Sequence, residues 1–98
     1  MKLQLPPHLP ERLDLQLGDL VSFRMLLFST KGESFNRGTL GMITDIKKLS
    51  APPRFRYGFL YGITMLCDDN LFYFSEYESC FNQAFSIVSR LDQVRETA

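Results

Sequence analysis

The sequence is poor in the residues from which most enzyme sites are built. It has one histidine, two cysteines and no tryptophan in 98 residues. The histidine, His8, lies in a proline-rich stretch, and an extended segment positions a catalytic group poorly. Cys67 and Cys80 are too far apart for a Cys-x-x-Cys motif, and no ligand spacing typical of zinc is present. We therefore predict no catalytic residue, no metal site, no cofactor and two reduced thiols.

The chain also lacks an excess of charge and any long apolar run. Eleven basic residues balance eleven acidic ones, which disfavours non-specific binding to nucleic-acid phosphates. No apolar run approaches the length of a membrane span. The first residues contain no apolar signal core. We expect a virion or cytoplasmic protein that is not secreted by a signal peptide and has no membrane partner.

Two pairs of acidic residues are the remaining candidates for acid–base or cation-binding chemistry. Asp68 and Asp69 are adjacent, and Glu76 and Glu78 are two residues apart. Both pairs fall on expected turns, so we predict that all four are solvated turn residues.

Aromatic residues are abundant, and their type favours β structure. The chain has nine phenylalanines and four tyrosines, whose flat rings suit a pleated, half-buried surface. Its length fits one domain with one modest core. Apolar residues recur at period two in segments separated by turn signals, which predicts five strands. These strands cover residues 20–25, 38–46, 56–67, 71–75 and 85–89.

The connections between these strands carry their own signals. A polar loop is expected at residues 29–37, a tight turn at 68–70 and one helical turn at 76–80. Gly58 and Gly62 indicate a bulge or bend inside the third strand. The inward residues of the strands should form the core. They are Val21, Phe23, Ile43, Ile63, Met65, Phe74 and Ile87.

The first sixteen residues form a segment of their own. Pro6, Pro7 and Pro10 fix φ and remove amide donors, so the segment should be extended rather than helical. Its leucines make it too apolar for a freely solvated tail. The predicted divisions are an extended arm at residues 1–16, a β domain at 17–90 and a polar tail at 91–98.

Two short motifs resemble the Src-homology-3 (SH3)-like barrel. Gly18-Asp19-Leu20-Val21 resembles the Gly-Asp-x-Val start of the first strand in many such barrels. Gly38-x-x-Gly41-x-Ile43 resembles the glycine-rich turn and strand of the KOW subgroup, although the loop at 29–37 is long for that pattern. The resemblance implies a mainly β fold: a five-stranded SH3-like barrel with an extended N-terminal arm and a short helical turn before the last strand.

The apolar residues exceed what a small barrel can enclose. Strict alternation assigns to the outside several members of a set of further apolar residues. The set is Leu26, Leu27, Phe28, Leu60, Leu66, Leu71 and Tyr73. Either they contact a partner protein, or the leucine-bearing arm covers them within one chain. The predicted partner-binding residues are Leu5, Leu9, Leu13, Phe28, Leu60 and Leu66.

A nucleic-acid surface is the alternative. Basic residues interleaved with rings are typical of surfaces that follow a single strand, and Phe55 and Tyr57 supply such rings near the loop at 47–56. The basic residues of this alternative site are Arg37, Lys47, Lys48, Arg54 and Arg56.

Small arm-bearing barrels resemble the adaptor proteins of phage virions. We therefore expect a non-enzymatic structural or adaptor protein that packs on other protein subunits in a homo- or hetero-oligomeric assembly. The resemblance suggests a bacteriophage virion component of the head, neck or tail. The alternative is a KOW-like RNA-binding module linked to transcription or translation.

Overall fold

The structure is a computed structural model that describes residues 13–54 and 56–90. Its single described helix, α1 (Glu78–Ala84), lies between the last two strands. The strands are β1 (Leu20–Phe23), β2 (Leu27–Phe28), β3 (Ser34–Phe35), β4 (Leu40–Lys48), β5 (Leu60–Cys67), β6 (Asn70–Tyr77) and β7 (Phe85–Ser89).

Five strands form one antiparallel sheet in the order β6-β5-β4-β1-β7, and β2 pairs with β3 in a separate ribbon. A two-residue turn joins β5 to β6. Asp68 and Asp69 have φ values of 53° and 69°, and Cys67 pairs with Asn70. Two successive positive φ values give the turn that suits the twist of a hairpin. The tight turn predicted at 68–70 is confirmed.

The sheet is strongly curled around the core. β1 and β6 are three strand positions apart, which is about 14 Å across a flat sheet. The rings of Phe23 on β1 and Phe74 on β6 nevertheless lie 5.8 Å apart, centroid to centroid. The β2–β3 ribbon also reaches β6, because the N–H of Thr30 donates to the carbonyl of Tyr73 at 2.9 Å. The mainly β prediction is confirmed.

The first predicted strand is shorter than expected, and a separate short strand follows it. β1 ends at Phe23, and Leu27–Phe28 pairs with Ser34–Phe35 inside the predicted loop at 29–37. Strands of two residues have no periodicity of their own, so the sequence pattern could not indicate them. The last strand has its predicted bounds, Phe85–Ser89.

The register shifts lie between β4 and β5 and between β1 and β7, and none occurs at Gly58 or Gly62, where a bulge was indicated. The register between β4 and β5 shifts between Ile43 and Asp45. Gly58 precedes β5 and has a φ of 82°. Gly62 makes room for Tyr73, since a Cβ at Gly62 would overlap the Tyr73 hydroxyl. Both glycines therefore allow a close approach rather than a bulge.

Six of the seven predicted core residues are buried, and Ile87 is the exception. Ile87 is 38% exposed, so its predicted place in the core is wrong. It lies on β7, an edge strand that has a neighbour on one side only. Phe81 of α1 and Phe85 at the start of β7 belong to the buried core instead.

The last residues of the predicted arm pack on the domain. Leu15 belongs to the buried core, and Leu13 packs against it. Arg90 fastens this segment, because its Nη2 donates to the carbonyl of Asp14 at 2.6 Å. The Nε of Arg90 also lies 3.6 Å from the buried Oδ1 of Asp19. The packed part of the chain therefore begins by residue 13 and not at residue 17.

Some predictions concern parts of the chain outside the described residues. These are the predictions for Leu5, His8, Leu9, Phe55 and the tail at 91–98. Within residues 13–54 and 56–90, no helix has the length and apolar character to cross a membrane.

Candidate functional site

An apolar row crosses the outer face of the sheet, and we call it the outer stripe. Leu71 pairs with Leu66, Leu66 pairs with Met42, and Met42 pairs with Leu20. Directly paired residues point to the same face of a sheet, so these four side chains span β6, β5, β4 and β1. Leu71 is 63% exposed and Met42 is 42% exposed, while Leu66 and Leu20 are half-buried.

Alternation along β5 explains why the stripe faces outward. Ile63, Met65 and Cys67 point inward and are buried. Leu66 therefore points to the other face, as the sequence predicted. Leu60 shares that face but pairs with Tyr77 at the opposite end of β5. The two predicted partner-binding leucines of β5 thus lie far apart, and only Leu66 belongs to the outer stripe.

A second apolar surface is a groove beside α1, and we call it the α1 groove. One side is formed by the connection from β1 to β2, where Met25 and Leu26 are exposed, and by the exposed Phe28 of β2. The buried rings of Phe74 and Phe81 form its floor. Cys80 and Gln83 of α1 line the other side, and the cavity has a volume of about 350 Å³.

The predicted partner-binding residues do not share one surface. Phe28 lies in the α1 groove, Leu66 in the outer stripe, and Leu13 packs on the core of its own chain. The sequence-based set missed Met42, which alternation along β4 could have indicated. It also missed Met25, because the connection after β1 has no regular alternation of side chains that could indicate which residues face outward.

The basic residues of the alternative site are also dispersed. Arg37 precedes β4, whereas Lys47 and Lys48 lie at its far end. Successive strand residues point to opposite faces, so the two lysines diverge. Lys48 Nζ lies 4.0 Å from the centroid of the Phe59 ring. Arg54 and Arg56 are exposed in the following loop.

Comparisons with known proteins were made at three levels. A scan of protein-family models, a search of curated proteins and a search of solved structures each found no match.

Glu78 is buried, contrary to its prediction as a solvated turn residue. Its Oε1 accepts the N–H of Phe59 at 3.2 Å, and its own N–H donates to the Phe59 carbonyl at 3.0 Å. Its carboxylate also accepts the hydroxyl of Tyr61. Gly58 permits this arrangement, because a Cβ there would overlap the carboxylate. Glu78 thus ties the start of α1 to the start of β5.

The other acidic candidates are exposed, although Glu76 lies in β6 and not in the turn predicted for it. Asp68, Asp69 and Glu76 all have exposed side chains. In the described ranges, no group of three or more His, Cys, Asp or Glu side chains is placed to hold a metal ion.

Both cysteines are free thiols. Burial raises the pKa of Cys67 above its ordinary value. Burial, followed by the charge of Glu76, raises the pKa of Cys80. Each sulfur is therefore held in the protonated form at neutral pH, and the thiolate is the nucleophilic form of cysteine.

We expect the free energy of unfolding to fall as the pH rises above about 9. Burial, then the charge and hydrogen bond of Glu78, raises the pKa of Tyr61 above its ordinary 10.0. A raised folded-state pKa contributes stability that is complete below the unfolded-state pKa and is lost as the pH rises through the folded-state value. The raised pKa values of Cys67 and Cys80 also make the free energy of unfolding fall as the pH rises.

Urea unfolding across this alkaline range measures the effect. Tyr61→Phe should make the decline shallower, because phenylalanine cannot ionise. A decline of the same slope in Tyr61→Phe would contradict the assignment to Tyr61.

Proposed function

We propose that the chain is a non-enzymatic adaptor that packs on other protein subunits through the outer stripe. The stripe is the observation that carries the proposal. It places four apolar side chains in one row across four strands, with no charged side chain among them. Contiguous exposed apolar surface is typical of protein contacts. A protein face of apolar character is therefore the proposed occupant, on a second copy or on another subunit.

Nucleic acid fits the stripe poorly. Binding to a phosphate backbone depends on lysine and arginine, and the stripe has neither. Two exposed carboxylates, Asp68 and Asp69, lie at one end of it, in the turn between the paired Leu66 and Leu71. Their charge would repel phosphate at that end.

Leu71→Asp is expected to weaken assembly by about tenfold or more. The substitution places a charge in the apolar contact, where its desolvation has no compensating partner. Leu71 is exposed in the single chain, so the fold should persist. Light scattering over a concentration series measures the mass of the assembly, and circular dichroism checks the fold.

Tyr57→Asp is the matched control, because it makes the same charge change at a residue that is 47% exposed. Tyr57 lies outside the stripe, in the basic loop of the alternative site. Equally weakened assembly in both variants, or unchanged assembly in both, would contradict a role for the stripe. Salt-dependent binding to single-stranded RNA that Tyr57→Asp weakens and Leu71→Asp spares would favour the KOW-like module instead.

Two further proposals concern whether the sheet closes into a barrel and which assembly the protein belongs to. We propose that the curled sheet closes as an SH3-like five-stranded barrel, which the Phe23–Phe74 ring contact supports. We also propose that the protein is a bacteriophage virion component of the head, neck or tail, by analogy with small arm-bearing barrels. A crystal structure tests the closure. Virion genes beside this gene would support its assignment as a virion component, and genes for translation or transcription factors would contradict that assignment.

A further inference from the structure

We propose that the α1 groove is the receptor for residues 1–12 of a second copy of this chain. The inference rests on the proposed adaptor function and deepens it by naming a partner and its site. It accounts for an apolar surface that the outer stripe does not include.

The groove has the chemistry of a site for an apolar extended segment. Met25, Leu26 and Phe28 expose apolar side chains along one side, above the buried rings of Phe74 and Phe81. Aromatic-lined grooves suit proline-rich segments, because such segments are already extended and lose little entropy on binding.

Residues 1–12 match this chemistry. In a polyproline helix, which has three residues per turn, Leu3, Pro6 and Leu9 fall along one edge. Pro7 and Pro10 fall along a second edge. The segment would therefore present two adjacent apolar edges to a groove.

The charges of the segment and of the groove are complementary. Of the described residues that line the groove, Glu76 alone carries a charge. Residues 1–12 hold two basic residues, Lys2 and Arg12, against one acidic residue, Glu11. The basic excess of the segment favours approach to the Glu76 carboxylate.

The first described residues lie beside α1, the helix that forms one side of the groove. They contact the side of α1 that faces away from the groove. The N–H of Asp14 donates to Oδ1 of Asn82 at 2.9 Å. At 3.6 residues per turn, Asn82 lies about 160° around α1 from the groove residues Cys80 and Ala84. The segment at residues 1–12 is therefore attached on the far side of α1 from the groove of its own chain.

The reach of the chain then favours a second copy. The three residues from Pro10 to Leu13 span at most about 11 Å, which is about the diameter of a helix with its side chains. To enter its own groove, the stiff proline segment would have to wrap around α1. The groove of a second copy imposes no such wrap. The contact is head-to-tail, since the arm and the groove are different surfaces, and repetition gives a ring or a filament.

Two full-length variants separate the halves of this contact. Leu9→Asp disables the arm, and Leu26→Asp disables the groove at a side chain that is 53% exposed. Both chains also carry Leu71→Asp, so that the outer stripe does not contribute. Phe28→Asp is a second groove variant for the case in which Leu26→Asp fails to fold. Light scattering measures the mass of each chain alone and of their equimolar mixture.

We expect each variant alone to have the mass of one chain and the mixture to have the mass of two. The intact arm of one variant can enter the intact groove of the other, and no further contact remains. Tyr57→Asp, in place of Leu26→Asp, is the control for the charge change and should self-assemble through its intact arm and groove. A mixture with the mass of one chain overturns the proposal. An arm that binds the groove of its own chain would give that same mass.

The same measurements separate this inference from the proposed function. If the mixture has the mass of one chain while the unmodified chain assembles, the groove is not the receptor and the stripe proposal stands. If the unmodified chain has the mass of one chain at every concentration, the inference and self-assembly through the stripe both fail.

Discussion

Phe23→Ala is expected to lower the free energy of unfolding by about 3–5 kcal/mol. Phe23 is 1% exposed, and its ring meets those of Phe85, Phe35 and Phe74 at centroid distances of 4.9, 5.7 and 5.8 Å. Truncation removes these contacts and leaves a cavity where three parts of the fold meet. Small domains have total stabilities of about 5–15 kcal/mol, so the loss should bring the chain close to unfolding.

Phe28→Ala is the matched control, because it removes the same atoms from a side chain that is 60% exposed. The loss there should be at most about 0.5 kcal/mol. Urea unfolding followed by circular dichroism measures both variants, at a concentration where light scattering gives the mass of one chain, so that assembly does not add to stability. Similar losses at Phe23 and Phe28 would mean that Phe23 is not central to the core.

Glu78→Ala is expected to lower the free energy of unfolding by about 2–4 kcal/mol. The substitution leaves the N–H of Phe59 and the hydroxyl of Tyr61 without their acceptor in a partly buried place. Donors that lose their partner inside a protein retain the full cost of desolvation. Urea unfolding at neutral pH measures the effect.

Two variants check this explanation. Glu76→Ala removes an exposed carboxylate two residues earlier and should have a small effect. Glu78→Gln keeps one acceptor oxygen, so its loss should lie between that of Glu76→Ala and that of Glu78→Ala. A larger loss for Glu76→Ala than for Glu78→Ala would show that the buried hydrogen bonds do not fasten α1 to β5.

The sequence predicted most of the sheet, because alternation reports which strand residues face the core. Ile63 and Met65 show it clearly, since a residue that faces out separates them. The period also assigned Leu66 and Leu71 to the outer face. The same rule failed at Ile87, because alternation gives the face of a residue but not whether another layer covers that face.

Glu78 illustrates what turn composition cannot report. Its place after β6 indicated a solvated turn, and its burial depends on Gly58, twenty residues earlier, which leaves room for the carboxylate. The α1 groove likewise depends on residues that are distant from one another in the chain. Its sides come from residues 25–28 and from α1, so it exists only after the sheet curls. The outer stripe was easier to anticipate, because each of its members follows from the alternation of its own strand.

The contacts of the Arg90 side chain with Asp14 and Asp19 affect how this domain can be joined to other proteins. Asp14 directly follows the first described residue and Arg90 is the last, and the Arg90 side chain reaches the Asp14 carbonyl, with 2.6 Å between its Nη2 and that oxygen. A host chain could enter and leave the domain at nearly the same point, so inserting the domain into a surface loop would not force the two ends of that loop apart. The same closeness makes the chain suitable for circular permutation, with new ends at the exposed turn of Asp68 and Asp69.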